Sequence, residues 1–417
     1  MNHFEYKKNT LYCEEVPLTA IAEDVGTPAY VYSHATLLRH FRVFNEAFAG
    51  LPHLVCFAMK ANSNIAILHA LVKEGAGIDI VSGGELFRAR TAGAPANKIV
   101  YSGVGKTKDE MAYALKEGIL QFNVESEEEL EVLSQVAQSV GLKAPVSLRV
   151  NPNINPKTHP YISTGLKKSK FGVPFTESIR LYEKARKLPG LEVQGVSCHI
   201  GSQIITLSPF KEALAKVSGL VQTLKERGFN IQRVDLGGGL GIPYKKEVPP
   251  TPEQYGKILK EGIQKLGCMV LFEPGRVIVG NAGILLTSVL YRKNVKTKKF
   301  VIIDGAMNDL IRPALYGSFH QILPVKKKRG LSPVDVVGPV CESGDFFAEK
   351  RPLPVLESGD LLAVMSAGAY GSVMSSTYNS RPLVAEVMVS RNEFHVIRER
   401  QEYKDLMKGE HVPKFLI

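Results

Sequence analysis

The chemistry of this chain begins where an apolar run meets a lysine. Leu54-Val55-Cys56-Phe57-Ala58-Met59 reads as a buried strand and continues directly into Lys60-Ala61-Asn62. Burying an ammonium alone is costly, so Lys60 either snorkels to solvent or pairs with an acid. Otherwise desolvation lowers its pKa and leaves an amine able to form a Schiff base. Glu273-Pro274-Gly275-Arg276 ends another apolar run. Its carboxylate can pair with Lys60 across a shared rim or hold a proton on a pyridine nitrogen, and Arg276 can clamp a carboxylate through two parallel hydrogen bonds. His199-Ile200-Gly201-Ser202-Gln203 contributes an imidazole and a hydroxyl. In Asp235-Leu236-Gly237-Gly238-Gly239-Leu240-Gly241 the glycines let backbone amides approach a phosphate, or serve a tight turn at positive φ. Cys341 stands in Val340-Cys341-Glu342-Ser343-Gly344-Asp345. The neighbouring acids Glu342 and Asp345 are expected to raise its pKa, which suits a proton donor better than a nucleophile.

These residues need a scaffold that gathers distant strand ends. Strand-like runs recur near 54–59, 78–81, 98–101, 119–124, 145–150, 193–198, 231–236 and 269–273. Amphipathic helical segments such as Ile65 to Lys73, Gly84 to Ala92, Glu127 to Val140 and Pro209 to Arg227 lie between them. Eight strands alternating with helices predict a (β/α)8 barrel, whose chemistry gathers at the C-terminal strand ends. Lys60, Asp79, Ser82, Arg149, His199, Ser202, the glycine run and Glu273 to Arg276 all fall there. A helix capped by Ser33 precedes the first strand, with Leu37, Phe41, Phe44 and Phe48 at helical spacing. Beyond about residue 280 the period shortens to β-rich runs between Gly/Pro turns. The expected organisation is a barrel over 33–280 and an all-β, Greek-key-like domain from 281–417, joined by residues 1–32, themselves read as short strands and irregular structure.

Composition narrows the function classes. The five cysteines are odd in number and scattered, with no Cys-x-x-Cys pair, so neither a disulfide framework nor a metal site is expected. Cys56, Cys198 and Cys268 read as core residues. The charge of +11 has its densest run at Lys326-Lys327-Lys328-Arg329, before a glycine, where it reads as a solvated turn. No nucleic-acid recognition motif accompanies it. The longest apolar stretch, Val277 to Leu290, is broken by Gly280, Asn281 and Gly283, so a membrane span is not expected. The charged N-terminal residues are unlike a signal peptide, which points to the cytoplasm.

Taken together, the motifs resemble the diaminopimelate decarboxylase family, alanine racemase-like barrel enzymes of fold type III that use pyridoxal 5'-phosphate. The resemblance rests on Phe57 to Asn62, Thr158 to Gly165 with Lys170-Phe171-Gly172, His199 to Gln203, Gly237 to Tyr244 and Glu273 to Arg276. It continues through Ile311-Arg312-Pro313-Ala314-Leu315-Tyr316, Cys341 to Asp345 and Gly368-Ala369-Tyr370-Gly371. The resemblance implies that Lys60 is the cofactor-bearing lysine, that His199 stacks on the ring, and that Glu273 partners its nitrogen. Ser202, Gly237, Gly238, Gly239 and Tyr370, with Gly275 and Arg276, would hold the cofactor. Arg276, Arg312, Tyr316, Glu342 and Tyr370 would bind substrate. Cys341 would donate a proton into the active site of the other subunit of a homodimer. The implied reaction converts meso-diaminopimelate to L-lysine and CO2. Related decarboxylases of ornithine, arginine or carboxynorspermidine share the fold. A racemase of this group would pair the ring nitrogen with arginine, and a non-catalytic homologue would lack Lys60 or Cys341.

Overall fold

The computed structural model describes residues 2–155 and 169–417. The chain divides into two compact units, Leu38–Ile278 and the pair of segments Met1–Leu37 and Val279–Ile417.

The first unit is a closed barrel of eight parallel strands: β1 His53–Ala58, β2 Gly77–Ile80, β3 Ile99–Tyr101, β4 Gln121–Val124, β5 Ala144–Asn151, β6 Leu191–Ser197, β7 Arg233–Asp235 and β8 Met269–Phe272. The order runs β5-β6-β7-β8-β1-β2-β3-β4, and pairing of β4 with β5 closes the ring. Each of β1 to β7 is followed by a helix, from Ile65–Lys73 after β1 to Pro252–Leu266 after β7. Local sequence starts these helices. Ser82, Thr107, Ser126 and Thr251 accept the amides of Glu85, Glu110, Glu129 and Gln254, satisfying donors that a helix N-terminus leaves open. Ser33 does the same for Thr36 at the helix His34–Glu46.

Side chains alternate across each strand, so one set faces the helices and the other the barrel interior. Low in the interior, Cys56, Val100 and Leu271 pack with Leu54 and Leu120. Higher up the set turns polar: Asp79, Asn123, Arg149 and Asp235 from the strands, then Ser102 and Glu273 just past them. All six are buried. The change from apolar to polar marks the rim where the site is built.

The second unit is a mixed sheet in the order Phe346–Leu353, Ser332–Val337, Lys299–Ile303, Gly283–Asn294, Ala29–Ser33, Ala385–Ser390, Glu393–Arg398. Ala29–Ser33 lies inside it, antiparallel to Gly283–Asn294 and parallel to Ala385–Ser390, so the N-terminal residues join the late strands as expected. Two details correct the sequence reading. The unit is not purely β, because Leu18–Val25 is a helix that buries Leu18 and Ile21 against Leu11, Val31 and Leu286. Cys268 is only half-buried, at the mouth of β8, whereas Cys56 and Cys198 are core residues. Among the described residues no helix is long and apolar enough to cross a membrane.

Candidate active site

Lys60 sits in a single 3-10 turn, Met59–Ala61, that follows β1. Its ammonium donates to Asp79 Oδ2 at 2.6 Å; the lysine side chain is 35% exposed and that of Asp79 fully buried. Of the readings offered by the sequence, the pairing with an acid is the one seen here. Lys60 reaches over the rim while the acid is held at the end of β2. The second oxygen, Asp79 Oδ1, is buried without a partner. The loop Glu273-Pro274-Gly275-Arg276 lies against the same turn. Pro274 O accepts the Ala58 amide at 3.1 Å, and a Cβ on Gly275 would stand 2.9 Å from Ala61 Cβ. Glycine is required here so that the loop can close on the Lys60 turn.

The loops after β6 and β7 are joined to one another. Ile204 N donates to Gly239 O, Gly241 N to Ile204 O, and the Gln203 amide bridges to Ile242 in both directions. Gln203 adopts φ 56° within this junction, a left-handed conformation that costs a side-chain-bearing residue free energy. The glycine run is fixed by close packing: a Cβ on Gly238 would meet Glu273 O at 2.2 Å, and one on Gly239 would meet Gly201 O at 2.5 Å. The Gly238 amide donates to His199 Nδ1 at 3.1 Å, which places the imidazole proton on Nε2. Burial first, then the charges of Arg149 and Lys60, hold the His199 pKa well below its usual value. The ring is therefore neutral, a flat surface suited to stacking. Arg276 Nη1 donates to the Tyr244 hydroxyl at 2.7 Å and Nη2 to Ser202 Oγ at 3.1 Å, so guanidinium and hydroxyl converge on one point of the rim.

Glu273 Oε1 accepts from Ser102 Oγ and from Asn123 Nδ2, each at 3.2 Å. The same Asn123 Nδ2 lies 2.8 Å from Asp235 Oδ2, so the two carboxyls share one donor. Burial, then the charges of Asp235 and Asp79, raise the Glu273 pKa well above the usual carboxylate range. Behind this group, Arg149 pairs with Glu125 at 2.7 Å and lies over the Phe171 ring. Glu125 also accepts the Gly103 and Gly172 amides, which anchors the Lys170-Phe171-Gly172 part of a motif quoted above. The other part, Thr158 to Gly165, lies outside the described residues.

Glu85, beside Asp79, carries a pH signature of its own. Burial and the charge of Asp79 outweigh the Val81 amide, Lys60 and Arg88, raising its pKa from 4.5 to about 7. Between those values the folded protein holds a proton that the unfolded chain has lost, so stability falls as pH rises through that window. After allowance for solvent screening the effect is on the order of 1–2 kcal/mol. Glu85→Gln keeps an oxygen for the Val81 amide and lacks the titration. It is expected to melt about 2–4 °C above the parent at pH 8 and alongside it at pH 4. Identical melting profiles against pH would refute this.

The remaining sequence-predicted residues belong to the second unit. Arg312 is 5% exposed; its Nε donates to His320 Nε2 at 3.4 Å and its Nη2 to Ser318 Oγ at 3.2 Å. Its guanidinium lies 5.9 Å from the Tyr316 ring centroid. His320 Nδ1 donates to Met365 O, which leaves Nε2 as the acceptor for Arg312. Cys341 is exposed, with its amide bonded to Asn379 Oδ1. Glu342 is also exposed, and it raises the pKa of the nearby Tyr378 hydroxyl. Asp345, expected beside the thiol, turns inward to accept the Met307 and Val340 amides. It organises the loop, while Glu342 shares the surface with Cys341. Tyr370, a predicted site residue, adopts φ 55°, a strained conformation for a residue with a side chain. Sequence reasoning assigned no role to Asn123, Ser102, Glu125 or Glu85. The polar residues alternating through Gln121-Phe122-Asn123-Val124, within an otherwise apolar barrel, were the available signal.

The barrel-rim residues suit an aldehyde cofactor that carries a ring and a phosphate. A lysine, a flat neutral imidazole and a buried acid of raised pKa stand beside a glycine cradle flanked by Ser202 and Arg276. Residues 34–280 match the family profile of the pyridoxal-dependent decarboxylases, pyridoxal binding domain. The chain is 52% identical to the diaminopimelate decarboxylase of Pseudomonas aeruginosa over 412 residues, spanning 98% of this chain and 99% of the relative. With the Vibrio cholerae enzyme of the same name it shares 49% over 415 residues, 99% of each chain. The solved diaminopimelate decarboxylase of M. jannaschii, in complex with L-lysine, superposes with a TM-score of 0.95 at 39% identity, covering 100% of both chains. The chain belongs to the diaminopimelate decarboxylase family of pyridoxal-dependent decarboxylases.

Proposed function

We propose that this protein is a pyridoxal 5'-phosphate-dependent enzyme that decarboxylates meso-2,6-diaminopimelate to L-lysine and CO2, the last step of lysine biosynthesis, working as a cytoplasmic homodimer. The observation that carries the reading is the group of Lys60, Asp79, His199 and Glu273 at one barrel rim, in a chain matched end to end by relatives of that name. Bound there, the cofactor supplies an electron sink for the bonding pair of the departing carboxylate. The protein's own residues do the rest. Lys60 Nζ is the amine that would hold the cofactor's aldehyde carbon, and Asp79 is the partner that orients it. His199 keeps the ring flat and covered. Glu273 sets the protonation of the ring nitrogen. Ser202, the Gly237-Gly238-Gly239 backbone and Arg276 hold the phosphate end, joined in this proposal by Gly275 and Tyr370.

Substrate choice follows from charge. A distal carboxylate calls for arginine, supplied by Arg312 with Arg276 and the hydroxyls of Tyr316 and Tyr370, while Glu342 pairs the distal ammonium. Cys341, from the second subunit, protonates the carbon that has lost CO2; its exposure within its own unit supports that reading. The direct test is to incubate the purified protein with pyridoxal phosphate and meso-diaminopimelate. Stoichiometric lysine and CO2 are expected. Release of CO2 from ornithine at equal or greater efficiency would transfer the protein to the ornithine-type decarboxylases.

A further inference from the structure

We infer that Asp235 and Asn123 are positioning residues for Glu273, and that together they keep one proton on the Glu273 carboxyl before any cofactor arrives. This rests on the reading of Glu273 as partner of the cofactor's ring nitrogen and adds the source of the proton that the nitrogen needs.

The geometry fixes each donor in turn. Arg233 Nε, which can only donate, bonds Gln121 Oε1 at 3.1 Å. The Gln121 amide is thereby oriented, and its Nε2 donates to Asn123 Oδ1 at 2.9 Å. Asn123 must then present its NH2 end to the acids. Nδ2 lies 2.8 Å from Asp235 Oδ2, 3.0 Å from Ser102 Oγ and 3.2 Å from Glu273 Oε1. Asp235 also receives the Gly237 amide on Oδ1 at 2.9 Å. Asn123, Gln121, Ser102, Asp235 and Glu273 are all buried.

Two carboxyls that are buried out of water and share one amide donor repel strongly when both are ionised, so one of them holds a proton. The proton goes to the group with the weaker set of donors. Asp235 accepts two N–H bonds shorter than 3 Å, whereas Glu273 accepts a hydroxyl and a shared amide at 3.2 Å each. Asp235 therefore stays a carboxylate and Glu273 a carboxylic acid. Of the other charges acting on Glu273, Asp79 reinforces this state and Lys60 opposes it. Toward a pyridine nitrogen Glu273 would be the proton source: its O–H bond would be given up for an N–H bond, and the residue left as a carboxylate. No proton need come from solvent into the barrel.

Infrared difference spectroscopy of the cofactor-free protein, titrated with pH, tests this. A protonated-carboxyl C=O band that survives to pH 8 in the wild type and is absent from Glu273→Gln is expected. In Asp235→Asn, which removes the neighbouring charge, its titration midpoint should fall by about one pH unit or more. Ser102→Ala, a change too small to threaten the fold, removes a donor to Glu273 alone and should move the midpoint upward. A wild type without the band, a band that persists in Glu273→Gln, or a midpoint unmoved by Asp235→Asn or, if that variant does not fold, by Ser102→Ala, would overturn the inference. The reading beneath it is tested separately. If Glu273→Gln binds pyridoxal phosphate with the wild-type absorption spectrum, Glu273 is not the ring partner, whatever the carboxyl band shows.

Discussion

Lys60→Arg will keep its ion pair to Asp79 and its melting temperature, yet will turn over diaminopimelate roughly 10³-fold more slowly or worse, equivalent to about 4 kcal/mol of barrier. A guanidinium can replace the ammonium against Asp79, but it stays protonated and cannot act as a nucleophilic amine. Arginine isolates the chemistry better than alanine, which would also strand the buried Asp79 charge. Borohydride reduction of the wild-type holoenzyme should fix the cofactor to the peptide containing Lys60. A label on any other lysine would sink the assignment of the rim. The same residue tests the shared site. Lys60→Ala and Cys341→Ala proteins, each nearly inactive, are mixed and allowed to exchange subunits. Random exchange makes half of the dimers mixed, each with one intact site, so activity should return to roughly a quarter of wild type. No recovery, with exchange verified independently, would put both residues of one site in the same subunit.

Arg312→Ala should lower kcat/KM for diaminopimelate by about 10²–10³-fold, or about 3–4 kcal/mol, while the cofactor absorption and the dimer remain. The size of the loss comes from stranding a substrate carboxylate in a site whose matching charge has gone. His320 and Ser318 hold Arg312 in a fixed, buried place, as a specificity residue requires. Arg312→Lys should not restore activity, because an ammonium cannot make two parallel bonds to a carboxylate. Wild-type protein should handle L-lysine poorly, since lysine lacks the distal carboxylate. If Arg312 only braced its own unit, Arg312→Ala would lower the melting temperature and leave kcat/KM unchanged.

Much of this protein was determined by local sequence. Eight strand-length runs recur with amphipathic helical segments between most of them, and alternation along each strand decides which residues face inward. The barrel, its closing order and the strand-end positions of Lys60, His199, the glycine run and Glu273 follow from that rhythm. The helix Leu18–Val25 was legible in principle, with Leu18, Ile21, Ala22 and Val25 at helical spacing. It was misread because eight residues barely establish a period. The partners were another matter. Asp79 beneath Lys60, the Gly238 amide that fixes His199, Asp345 turned inward from Cys341, and Asn123 spanning the lumen are pairings between segments. Asn123 reaches Asp235 and Glu273 across 112 and 150 residues of chain. The period of a strand says that a residue points into the barrel, but not what stands opposite it there. The stagger and closure of the ring decide that, and with it the charge that each buried group carries.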